Sequence, residues 1–167
     1  MADQPEGRTR KSLLIAAGSA TLVAGLAGGC LFAVFGVGIL AAIAIPNFVA
    51  MQLKAKRAEV PAHVDSIRVA ELSYDAAFTG YVAAGTEAEA RAAITDGRQA
   101  RTFTGGGGWD EIGWHPGGPI RGAYWVALTA EGFEVHGISD VDNDGVYAEY
   151  VATQDEAPRA ITPPEIH

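Results

Sequence analysis

Cysteine occurs once in the 167 residues, as Cys30 inside an apolar run, so no disulfide can brace the polar part of the chain. Basic residues are scarce there too: from Lys54 onward nine Lys and Arg stand against eighteen Asp and Glu. An acidic surface of this kind excludes nucleic acid as a partner, because phosphate backbones need basic patches. Catalytic patterns are missing as well. There is no Gly-x-Ser-x-Gly nucleophile elbow. The glycines 105–108 are followed by Trp109-Asp110, where a phosphate loop carries Gly-Lys-Ser/Thr. His63, His115, His136 and His167 share no metal-ligand spacing, and the carboxylates are too scattered to single out an acid–base pair. These absences point to a protein that is not an enzyme.

Charge itself is missing from one segment. Nothing between Lys11 and Lys54 is ionisable apart from Cys30, and residues 13–53 form an uncharged stretch of 41 residues. A membrane span needs about 20 apolar residues, and 41 helical residues reach roughly 60 Å. Arg8, Arg10 and Lys11 precede the run, so the positive-inside tendency keeps residues 1–12 in the cytoplasm and places the bulk of the chain outside it. Three arrangements fit this pattern. A single long helix spans the bilayer and emerges as a stalk, which is the arrangement preferred here. Alternatively Gly28-Gly29 splits the run into a hairpin, or Leu26-Ala27-Gly28-Gly29-Cys30 serves as a lipoprotein-like cleavage site. Residues 54–155 then form an extracytoplasmic domain, and 156–167, rich in proline, form a loosely ordered tail.

Past the membrane segment, Val60, Val64, Ile67, Tyr74 and Phe78 recur at spacings of three and four, with Glu71 the one polar member. This is the stripe of an amphipathic helix that ends near Gly80. Pro46 predicts a kink or local melting, and Pro61 a second bend. Thr86 and Glu89 have capping-box spacing at the head of a short helix over about 86–94. The glycines 105–108 read as a flexible loop before Trp109. Three antiparallel strands follow, at 122–129, 133–138 and 146–153. The first is apolar on both faces and reads as the central one. The fold class is α+β: a long N-terminal helix, half membrane-spanning and half amphipathic, packed on a small antiparallel sheet.

Asp140-Val141-Asp142-Asn143-Asp144-Gly145 is the best candidate site. Alternating aspartates closed by glycine match the first half of a calcium loop, and Ca2+ takes six to eight oxygens. Val146 offers a backbone carbonyl and Glu149 a further carboxylate, although Val151 occupies the twelfth loop position, where an EF-hand carries glutamate. The competing interpretation is an ordinary strand-to-strand turn, which Asp-Gly favours.

The run Gly38-Ile39-Leu40-Ala41-Ala42-Ile43-Ala44-Ile45-Pro46-Asn47-Phe48, followed by Gln52, Lys54, Lys56 and Glu59, resembles the first helix of type IV pilins and pseudopilins. The similarity extends through 67–74 and Gly80-Tyr81 to residues 105–114, 123–126 and 137–145. The resemblance implies a pilin-like fold and a structural role. The subunit would lie in the cytoplasmic membrane as a single-pass protein, then assemble with other pilin-like subunits through the apolar helix into a pilus or a secretion pseudopilus. Counted back from Pro46, the family's mature first residue falls on Gly25 after Ala24, and its early glutamate on Gly29. Those departures support an alternative, a permanently anchored, unprocessed surface protein whose pilin-derived domain binds a partner or calcium.

Overall fold

The computed structural model describes residues 36–167; Arg8, Arg10, Lys11, Gly25, Gly28-Gly29 and Cys30 lie outside the described residues. The chain divides into two compact units, with the boundary between Val49 and Ala50. In the first, every described residue is helical. Val37, Ile39, Leu40, Ile43, Ile45 and Phe48 are 61–69% exposed. Pro46 leaves only the Ala42 carbonyl without its helical donor, and helix continues through it, so the local melting expected there does not occur. Helix α1 spans Gly36–Phe78 and is long and apolar enough to cross a membrane. One turn residue at Ala58 interrupts its assignment, three residues before Pro61, which has no N–H to offer the Arg57 carbonyl.

The second unit is α+β. After α1 come two short helices, α2 (Glu87–Ala93) and α3 (Gly108–Glu111). Four strands follow: β1 (Ala123–Thr129), β2 (Gly132–Ser139), β3 (Ala148–Thr153) and β4 (Arg159–Ala160). The sheet is an antiparallel meander in the order β1-β2-β3-β4. The outer part of α1, Glu59–Phe78, packs on β2 and β3. It buries Val60, Val64, Ile67 and Glu71, whose spacings of four, three and four put them on one helical face. Gly137 on β2 is what admits the helix so closely: a Cβ there would lie 2.5 Å from Val64 Cγ2.

Several expectations need correction. Phe78 is 69% exposed and lies outside the buried stripe, at the end of α1. The left-handed residue that ends the helix is Thr79, at φ +56°, one position before Gly80. Strand β1 is at the end of the sheet rather than its centre. Its apolar character comes from cover on both faces. Tyr124 and Val126 face the cluster around Val64 and Phe133, while Ala123 and Trp125 pack with Ala90 of α2 and with Ile138. Ala84 caps the edge by bridging to Val126.

Within the glycine run Gly106 and Gly107 are open to solvent, whereas Gly108 is packed: a Cβ on it would meet the Ala83 carbonyl oxygen at 2.1 Å. That contact fixes Trp109, which joins Trp114 and Phe103 in an aromatic cluster. The tail, expected to be loosely ordered, is bound at several points. β4 pairs with β3, Thr162 Oγ1 accepts the Glu149 N–H (2.9 Å), and the buried Arg57 guanidinium donates to the Pro164 carbonyl (3.0 Å). Proline content predicted looseness because it is a local measure, whereas these partners are distant in sequence.

Candidate metal centre

The loop that follows β2 begins at Asp140, which is 4% exposed. Its carboxylate turns back on its own loop: Oδ1 accepts the Asp144 N–H and Oδ2 the Gly145 N–H, each at 3.0 Å. Asp144 Oδ1 in turn accepts the Val146 N–H at 2.8 Å. Asn143 takes the left-handed conformation (φ +60°) that asparagine tolerates. Its Oδ1 accepts the Gly97 N–H at 3.1 Å. Arg98 donates from Nε and Nη2 to the Asp142 carbonyl at 3.2 and 3.1 Å. Glycine is required at 97, since a Cβ there would sit 1.5 Å from the Asp140 carbonyl oxygen. The Val141 N–H donates to the His167 carbonyl at 3.1 Å. The loop is thus held from three sides: its own backbone, the turn at Asp96–Arg98, and the tail.

This folding gathers the three aspartates. One carboxylate oxygen from each of Asp140, Asp142 and Asp144 lies within 4.8 Å of the others. Asp142 Oδ1 is buried with no hydrogen-bond donor. Burial, followed by the negative charge of Asp144, raises the Asp142 carboxyl above its ordinary range. Three carboxylates at this separation repel one another, and a divalent cation would relieve the repulsion.

The other two candidate ligands are placed differently. Val146 is beside the loop and 47% exposed, with its N–H on Asp144. Glu149 is on β3 opposite Ile138, where its Oε1 lies 3.2 Å from His136 Nδ1. The same imidazole holds Glu134 Oε2 at 3.2 Å through Nε2 and stacks on Trp125. Glu149 is therefore committed to the sheet face and stands apart from the aspartates. The supports Gly97 and Arg98 were not singled out from the sequence, although the Asp96-Gly97 pair is a local turn signal. The helix positions Gly38 through Phe48 are all helical, and a Cβ on Gly38 would meet nothing within 4 Å.

A second concavity, of about 520 Å³, lies between α2, residues 101–106 and β1. Its cationic group, Arg101, is already donating to the Arg121 and Gly122 carbonyls at 3.0 and 2.7 Å. Its carboxylate, Glu89, accepts the Thr86 hydroxyl at 2.9 Å.

No protein-family model, curated protein or solved structure matches this chain.

Proposed function

We propose that the chain is a membrane-embedded structural subunit of the type IV pilin or pseudopilin kind, assembling through α1 and displaying its α+β unit outside the cytoplasm. The observation that carries this reading is the uncovered apolar helix. Between Val37 and Met51 the large apolar side chains are 47–69% exposed. Apolar surface left in water costs about 25 cal/mol per Å², so a surface of this length calls for a lipid or protein partner. Small residues along the same segment (Gly36, Gly38, Ala41, Ala42, Ala44) let a second membrane helix approach closely.

Intact mass and N-terminal sequencing of the chain from sheared surface filaments test this role. The expected result is a chain recovered in the filament fraction and beginning near Gly25. A chain found only in membranes at the full 17.4 kDa, less its first methionine, overturns it.

The convergence of three aspartates around the undonated Asp142 Oδ1 favours a second reading, an anchored domain that binds calcium at the loop 140–145 without polymerising. Asp140, Asp142 and Asp144 would supply the carboxylates.

A further inference from the structure

Glu71 is fully buried in the seam where α1 meets the sheet, among Ile67 and the chain that follows the helix. Its Oε2 accepts the Val82 N–H at 3.1 Å, and its Oε1 has no partner. Among the described residues no cation compensates it. Arg68, three residues earlier on α1, spends its guanidinium on the Thr153 and Gln154 carbonyls at 2.7 and 3.0 Å, with Asp65 Oδ1 at 3.7 Å. The titratable groups around Tyr81 on the following segment are acidic: burial first, then the charges of Asp75 on α1, Asp155 on the turn after β3 and Glu71 itself, raise the Tyr81 hydroxyl above its ordinary range. An ionised carboxylate in this setting is buried without a counter-charge, which is costly.

The one hydrogen bond Glu71 makes is to the segment that leaves the helix. That segment starts at the left-handed Thr79, packs Tyr81 on Phe133 with ring centroids 4.7 Å apart, and ends at the bridge between Ala84 and Val126 on the edge of β1. It is pinned at Val82 by Glu71 and at Ala84 by β1.

We infer that Glu71 is a proton-gated latch: protonated, it holds the segment 80–84 against α1 and the sheet; ionised, it draws water into the seam and releases that segment, uncovering Phe133 and the outer edge of β1. The proton simply leaves the carboxyl for solvent, and no other bond forms or breaks.

Burial raises the Glu71 carboxyl above its ordinary value of 4.5, and the Val82 hydrogen bond only partly opposes this. The latch is fully closed below that ordinary value and weakens as pH rises through the folded-state value. Across that window the folded state holds one more proton than the opened one, so opening becomes about tenfold easier per pH unit.

The test is amide hydrogen exchange on the full-length protein in detergent, expressed as protection factors measured upward from the ordinary carboxyl value of 4.5. In the wild type, protection at Val82 and Ala84 falls with rising pH and stays below that at Val135 in the centre of β2, which exchanges only on global opening. In Glu71→Gln, an isostere that keeps an acceptor for Val82 but cannot ionise, protection at Val82 and Ala84 is level across the range. Parallel profiles in the wild type and Glu71→Gln overturn the latch. If Glu71→Gln does not fold, the wild type alone decides: protection at Val82 and Ala84 that does not fall as pH rises overturns it equally.

Discussion

The contact between Gly137 and Val64 is where the helix–sheet packing is least forgiving. A methyl added at 137 would lie 2.5 Å from Val64 Cγ2, 2.8 Å from Val60 Cγ1 and 3.0 Å from Tyr124 Cδ1. Carbon atoms prefer separations of about 3.5–4.0 Å, so helix and sheet must part by roughly 1 Å or the valines must leave their places. Overpacking of this degree costs about 1–3 kcal/mol. Alanine regains roughly 0.5–1 kcal/mol over glycine through lower chain entropy, so Gly137→Ala is expected to lose up to about 2.5 kcal/mol net. Val64→Ala, which removes two buried methyls, should lose about 2–3 kcal/mol on its own. The double variant should lose at least about 1 kcal/mol less than the sum, because the shortened side chain leaves room for the new methyl. Urea unfolding of the full chain in detergent, followed by the fluorescence of the buried Trp109, Trp114 and Trp125, measures all three variants. Additivity within about 0.3–0.5 kcal/mol would mean that 137 and 64 do not touch, and the packing described for α1 on β2 would be refuted.

Thr79 is an exposed β-branched residue held at φ +56°. Thr79→Asn should relieve about 1 kcal/mol and raise the melting temperature by a few degrees; an unchanged or lower value would place the strain elsewhere. Asp142 has a folded-state carboxyl raised above its ordinary 3.8, so the stability it contributes is present below that value and declines as pH rises through the folded-state value. In chelator at neutral pH, Asp142→Asn should therefore melt higher than the wild type. Added calcium should raise the melting temperature of the wild type and leave that of Asp142→Asn nearly unchanged. No response of the wild type to calcium would remove the metal reading of the loop.

How far the sequence could be read depended on how local each cause is. The stripe Val60, Val64, Ile67 was legible because it depends only on helical periodicity, and the Thr86–Glu89 cap because it spans one turn: Thr86 Oγ1 does accept the Glu89 N–H at 3.2 Å. The meeting of Asp140, Asp142 and Asp144 was legible for the same reason, since one loop carries all three. Features decided by distant pairing were not legible. Glu149 follows the aspartates in sequence, yet the β2–β3 register gives it to His136. The tail reads as proline-rich coil until Arg57, more than a hundred residues earlier, is seen to hold it. Glu71 continued the stripe by position and violated it by chemistry, and only the fold reveals that no cation among the described residues comes to meet it. The end of α1 was misplaced by one residue because glycine is the usual left-handed stop, and here Thr79 takes that conformation although Gly80 is next to it.

The claim that α1 is an assembly surface within the membrane is tested most directly by cross-linking through that helix. Ala42→Cys, introduced with Cys30→Ser so that a single thiol remains, would be treated with a short bifunctional maleimide in native membranes. A covalent dimer, absent when the cysteine is placed instead at exposed Ala130 in the turn between β1 and β2, is the predicted result. A chain that stays monomeric at position 42 while remaining firmly in the membrane fraction would contradict assembly through α1.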